Sequence, residues 1–308
     1  MQNAGGGNAV QTMPATQSDY LHIPASAQLQ SAPDLLRCVE SGGAHHFNAL
    51  QYMYKKVMNA QERLTFKTKT WPFVRDLALE VHTTVGRKRI TRLVDGTREV
   101  RLTQKECACL LACAFTCAMP DRYSMTCSRL FHVADHMRAA QNANKIRCLV
   151  EYFDVIRERV QRNDPLDRLV AFQRRGASLD STAFSRSTMT FSFPIVVEDT
   201  GTIEDWDRTG MMGTGVEADF ANSRIGGGAL GQGCVQEEIR FMQSPELIVS
   251  MFLCSKMGPL DAIVIRGTET FSKTNGYARS FEFGSRFDDR APVDAHTGML
   301  ITTVVAID

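Results

Sequence analysis

Residues 219–241, DFANSRIGGGALGQGCVQEEIRF, decide how the chain is read. Asp219-Phe220-Ala221-Asn222 reads as the end of a strand that carries two polar side chains. Gly226, Gly227 and Gly228, followed by Gly231 and Gly233, make a loop with little side-chain bulk. Gln236-Glu237-Glu238 then opens a helix whose apolar members include Ile239 and Phe241. A run of glycines lets the backbone approach a ligand and turn several N–H groups toward it, which suits phosphates and sugar hydroxyls. Adjacent carboxylates on a helix point in different directions, so one can grip ribose hydroxyls while the other reaches the bond being cut. Cleaving a glycosidic bond calls for a protonated carboxyl at the leaving oxygen and negative charge near an oxocarbenium-like centre. Taken separately, a triple glycine is usually only a loop, and Glu-Glu only a solvated helix start that suits the dipole. A dinucleotide-binding loop is a poor match, because a Glu pair at the helix start is not part of that design.

Working outward, 35 Lys and Arg against 34 Asp and Glu leave a formal charge of +1, which gives no footprint for duplex DNA or an anionic membrane. An anionic ligand must therefore be held by local groups. The 9 cysteines show no CxxC pair and no spacing of a zinc site or disulfide framework, which implies a reducing compartment. Cys107 to Met119, the longest apolar run, is too short to span a bilayer and suits a buried helix, so its cysteines are expected to pack as small hydrophobes. No secretory signal is visible in the first residues, and an intracellular protein is expected.

Three segments are expected: residues 1–33 as a flexible tail with Asp19 as its single charge, residues 34–178 as a helical region, and residues 179–308 as a mixture of strand and helix. Thr103 and Glu106 form a T-x-x-E capping box ahead of the apolar run. Residues 129–160 read as one or two helices ending at Asn163-Asp164-Pro165. Strands are expected at 189–197, 262–265 and 300–307, and Ser244-Pro245-Glu246 reads as a helix start with Ser244 as N-cap. His132 and His136 lack the Glu of H-E-x-x-H and read as surface or packing residues. Arg87-Lys88-Arg89 reads as a solvated turn rather than a targeting patch.

The run GGG-x7-QEE, preceded by DFAN and followed by IRF and PELIVS, resembles the signature of the poly(ADP-ribose) glycohydrolase family. LTQKECACLLACAFTCAMP (102–120) and NKIRCLVEYF (144–153) resemble its helical accessory region. Thr202-Ile203-Glu204-Asp205 resembles the strand leading to the adenine site, and GTETFSKTNGYARSF (267–281) the hairpin after the catalytic helix. The similarity covers roughly residues 35–308. It implies an α/β fold: a macrodomain-like mixed sheet between helices, with an N-terminal helical accessory domain. Family members continue beyond Val304-Val305-Ala306-Ile307 with a second Gly-rich loop, so the resemblance implies a macrodomain that is incomplete at Asp308.

The resemblance also implies roles. Glu238 would be the catalytic acid/base, protonating the departing ribose 2′-oxygen and then activating water. Glu237 would hold ribose hydroxyls, with Asp219 and Asn222 ordering the site. Gly226, Gly227 and Gly228 would line the distal ribose and diphosphate. Gln236, Ile203 and Glu204 would lie near the adenine, and Tyr277 would close over the ligand. The implied partners are poly(ADP-ribose) and poly(ADP-ribosyl)ated proteins, with no duplex nucleic acid or membrane. The expected state is a monomer working in nucleus or cytoplasm, in the DNA damage response, with no metal and no cofactor. An ADP-ribose-binding or regulatory module is the alternative. The 206–215 connection is longer than the family pattern leads one to expect.

Overall fold

A computed structural model describes residues 20–21, 23–30, 34–40, 47–94, 98–119, 125–176, 188 and 216–308. The expected strand at 189–197, the connection 206–215, and Ile203 and Glu204 lie outside these residues. Helices α1 (Ser26–Gln30), α2 (Leu35–Glu40), α3 (Asn48–Tyr52), α4 (Ala60–Thr65) and α5 (Trp71–Thr84) come first. They are followed by β1 (Glu99–Thr103), α6 (Gln104–Phe115), α7 (Ser128–Phe131), α8 (His136–Gln161) and β2 (Leu169–Gly176). The second part contains β3 (Val216–Phe220), α9 (Gln236–Gln243), α10 (Val249–Leu253), β4 (Asp261–Arg266), β5 (Ser272–Asn275), β6 (Glu282–Arg286) and β7 (Thr303–Ile307).

Five strands form one mixed sheet in the order β1-β2-β4-β7-β3. β3 and β7 run parallel, with Asp219 opposite Ala306, whereas β1–β2, β2–β4 and β4–β7 are antiparallel. The α/β expectation therefore holds, with one difference. β1 and β2 interrupt the segment read as helical and supply two strands of the sheet. Their signal is short, and the long apolar runs of α6 and α8 on either side dominate the periodicity. The segment read as a tail is not wholly loose either. Tyr20 bridges Thr91, and Leu21 and Leu29 are buried in the core, where a few apolar side chains offset the cost of ordering.

Local chemistry explains the element boundaries. Thr103 Oγ1 accepts from Glu106 N–H at 3.2 Å and Glu106 Oε2 accepts from Thr103 N–H at 2.8 Å, the reciprocal box expected at the start of α6. Cys107 through Phe115 are buried throughout, and burial pushes the Cys109 thiol up to about 11, as for an inert core residue. Lys88 pairs with Glu106 at 2.5 Å and Arg89 lies 5.2 Å from the centre of the Tyr20 ring, so the basic turn is tied to its neighbours. Ser244 stands at the expected N-cap position, but its side chain makes no capping bond. Its hydroxyl accepts from Arg240 Nη1 at 2.7 Å, and the next turn, Pro245–Ile248, is a tighter 3₁₀ helix. Proline at the first position still suits that start. β7 begins at Thr303 rather than Leu300, which instead bridges Val293.

A buried polar knot joins the two halves. Arg159 Nη1 and Nη2 donate to Glu269 at 2.7 and 2.5 Å, and Arg168 donates to the same carboxylate. Gln104 Nε2 donates to Glu246 at 2.8 Å, and Glu246 accepts from Glu269 N–H at 3.0 Å. Glu269 is thus the hub between α6, α8 and the turn after β4. Glu269→Ala leaves two arginines without their shared carboxylate, and we expect a loss of about 3–5 kcal/mol in urea unfolding, the cost of breaking a buried pair from one side. A loss below about 1 kcal/mol would show the knot to be solvated.

Candidate active site

β3 delivers Asp219 to a site 0% exposed, and the chain then turns through Asn222, whose Oδ1 accepts from Arg224 N–H at 3.0 Å. The glycine loop follows. Gly226 and Gly227 have φ of +86° and +46°, which favours glycine at both positions. The loop closes with Gly231 and Gly233 N–H both donating to Gly228 C=O, at 2.8 and 3.2 Å. α9 then starts at Gln236, with the two glutamates in its first turn, where the dipole favours carboxylate.

Both carboxylates fold back onto the loop. Glu237 accepts from Gly226 N–H at 2.6 Å and Asn222 N–H at 3.1 Å. Glu238 accepts from Gly228 N–H at 2.8 Å and Val235 N–H at 2.9 Å. They were expected to diverge; instead they converge on Gly227, where an added Cβ would lie 2.5 Å from an oxygen of each. The cause is backbone satisfaction: nearly buried carboxylates take the donors within reach, and only glycines let the backbone come that close. The N–H groups of Gly226, Gly227 and Gly228 are accordingly all engaged within the protein, that of Gly227 by Arg224 C=O at 3.1 Å.

Gln236 is occupied as well. Its Oε1 accepts from Phe220 N–H at 3.0 Å and its Nε2 donates to Ala218 C=O at 3.1 Å, so it covers the edge of β3. Gln236 N–H donates to the Tyr277 hydroxyl at 3.1 Å, which ties the β5–β6 connection to the start of α9. Tyr277 is otherwise exposed, as is Asn222. Asp219, Asn222, the three glycines, Gln236, Glu237, Glu238 and Tyr277 thus gather around one loop and one helix start. Beside them a cavity of about 650 Å³ is lined by Phe47, Arg129, His132, Gly227, Gly228 and Gln232, among others, but by neither glutamate.

Sequence reading missed Arg240 and Glu217. Arg240 is fully buried, with Nε 2.6 Å from Glu217 Oε1, and its charge partly offsets that of Asp219. Arg240 lies on the same α9 helix as the paired glutamates, the only signal that could have found it. Burial raises Asp219 to about 7, with Arg240 opposing and Glu217 and Glu238 adding to the rise. Burial also raises Glu237 to about 8, reinforced by the Asp219 charge and opposed by the Asn222 and Gly226 N–H groups. The two groups are thus coupled: a charge on Asp219 holds the proton on Glu237. Glu246 is raised to about 7 by burial, against the pull of Arg168.

These raised carboxyls bind protons in the folded chain at pH values where the unfolded chain has released them. Their stabilisation is present below the unfolded values of 3.8 and 4.5 and is lost as pH rises through 7 to 8. The melting temperature should therefore fall between about pH 4.5 and pH 8 and level off above that, and Asp219→Asn should shrink the fall. An unchanged fall in the variant would contradict the protonation assigned to Asp219.

The family model for the poly(ADP-ribose) glycohydrolase (PARG) helical domain matches residues 58–174, and that for the PARG macro domain fold matches residues 181–308. Among curated proteins, the chain is 37% identical over 217 residues to poly(ADP-ribose) glycohydrolase 1 of Arabidopsis thaliana, covering 68% of this chain and 37% of that protein. It is 34% identical over 198 residues to poly(ADP-ribose) glycohydrolase 1 of Caenorhabditis elegans, covering 64% of this chain and 23% of the relative. It is 33% identical over 228 residues to probable poly(ADP-ribose) glycohydrolase 2 of Arabidopsis thaliana, covering 68% and 41%. The chain spans well under half the length of these relatives.

Proposed function

Because the chain belongs to the poly(ADP-ribose) glycohydrolase family, we propose that it hydrolyses the ribose–ribose bonds of poly(ADP-ribose) and releases ADP-ribose. The observation that carries the reading is the convergence of Glu237 and Glu238 on the glycine loop, each through two backbone N–H groups. In this reading the Glu238 carboxyl gives its proton to the departing ribose 2′-oxygen as the C1″–O bond breaks. The carboxylate then takes a proton from the water that attacks the oxocarbenium-like carbon. Glu237, raised to about 8, stays largely protonated at neutral pH and can donate an O–H to a ribose oxygen. A charge on Asp219 favours the protonated form of Glu237.

Asn222 and Tyr277, both exposed beside the α9 start, are assigned to ordering the ribose site and to closing over the ligand, and Ile203, Glu204 and Gln236 are assigned to the adenine. The three glycines are assigned to the distal ribose and diphosphate, where Gly227 presents an exposed surface. The substrates in the cell would be poly(ADP-ribosyl)ated proteins. Among the described residues no helix is long and apolar enough to cross a membrane.

The test pairs two readouts on the purified chain: free ADP-ribose liberated from the polymer, and the melting shift caused by added ADP-ribose. Liberation together with stabilisation supports hydrolysis. Stabilisation without liberation favours an ADP-ribose-binding module, in which the loop holds ligand and does not turn it over.

A further inference from the structure

Lys145 lies midway along α8 and is 0% exposed. Its ammonium donates to Gly228 C=O at 3.0 Å, Gly231 C=O at 3.1 Å and Gly233 C=O at 2.6 Å. All three donors of the group are thereby used, and on one short loop. Among the described residues no carboxylate lies within ion-pair distance of it. Burial lowers Lys145 to about 8, and among carboxylates it is the charge of Glu238 that favours the protonated form.

The same loop faces Glu238. Gly228 receives Lys145 at its carbonyl and gives its own N–H to Glu238 Oε1 at 2.8 Å. A Cβ on Gly233 would lie 2.4 Å from Glu238 Oε1, while its carbonyl makes the shortest contact to Lys145. Glycines 228, 231 and 233 have no side chains with which to fix their own peptide planes. A buried cation that collects three of their carbonyls ties them to one point; its removal takes that partner from the Gly231 and Gly233 carbonyls, while Gly228 C=O keeps the N–H groups of Gly231 and Gly233.

We propose that Lys145 is a positioning residue for Glu238: from the helical region it staples the carbonyls of Gly228, Gly231 and Gly233, so that the loop presents Glu238 in one geometry. This deepens the hydrolase reading and rests on it for the kinetic readout alone. It also gives the helical region a part in the chemistry, beyond covering the sheet.

The test uses Lys145→Met, which is one atom shorter and loses every donor, and Lys145→Gln, which keeps two. In the parent, the amides of Gly228 and Val235 should be protected from hydrogen exchange. In the variants that protection should fall by about tenfold or more, with Met losing more than Gln, while amides of β2 and β4 stay protected. For release of ADP-ribose from the polymer, kcat should fall by about tenfold or more with KM changed less than about threefold, the mark of a reacting group misplaced after binding. Unprotected loop amides in the parent, or variants with parental exchange in the loop, overturn the proposal. So does a folded Lys145→Met with parental kcat. If the parent releases no ADP-ribose, the hydrolase reading fails and the exchange comparison still decides the staple.

Discussion

Glu238→Gln should reduce release of ADP-ribose by about 10²–10⁴-fold, the usual contribution of a general acid/base, while leaving the fold and ADP-ribose binding in place. The substitution keeps one acceptor oxygen, which can serve the N–H of either Gly228 or Val235, while the other N–H then faces the new amide NH2 and loses its partner. What it removes is the ability to carry a proton to the leaving oxygen and collect one from water. The melting temperature of the variant is the control, because a buried amide in place of a carboxylate is close in shape. Retained turnover in a folded Glu238→Gln would move the acid/base role elsewhere, and Glu237, whose carboxyl burial raises to about 8, would be the first group to examine.

Gly227→Ala should abolish turnover and weaken ADP-ribose binding together, which separates it from Glu238→Gln. An alanine Cβ would meet Glu237 Oε2 and Glu238 Oε1 at 2.5 Å each, so both carboxylates must leave their N–H donors. The backbone φ of +46° adds strain for any residue with a Cβ. Displacing two nearly buried carboxylates strands four N–H groups, and we expect about 2–4 kcal/mol of lost stability alongside the lost activity. Gly231→Ala is the matched control, since its Cβ would come no closer than 3.6 Å to Gly228 O. Equal damage from both substitutions would mean that general loop flexibility, rather than the space at Gly227, is what matters.

The site was the most legible part of the sequence. Strand, glycine loop and glutamate pair are contiguous, so their gathering follows from a strand–loop–helix path alone. The capping box at Thr103 was legible for the same reason, because its two partners lie three residues apart. Lys145 and the Glu269 knot were not, since their partners lie far along the chain: Lys145 reads as an ordinary helix residue until α8 packs against the loop. β1 and β2 were hidden by their short length between strongly periodic helices. The convergence of Glu237 and Glu238 was missed because helix geometry sends their Cβ atoms apart, whereas the loop donors draw the carboxylates back together.

The most direct test is a time course of free ADP-ribose from poly(ADP-ribose) with the 308-residue chain, read by separating monomer from polymer. The account predicts steady release by the parent chain at a rate at least about a hundredfold above that of Glu238→Gln. Release that proceeds equally in parent and variant, or none from a folded parent that binds ADP-ribose, would contradict it.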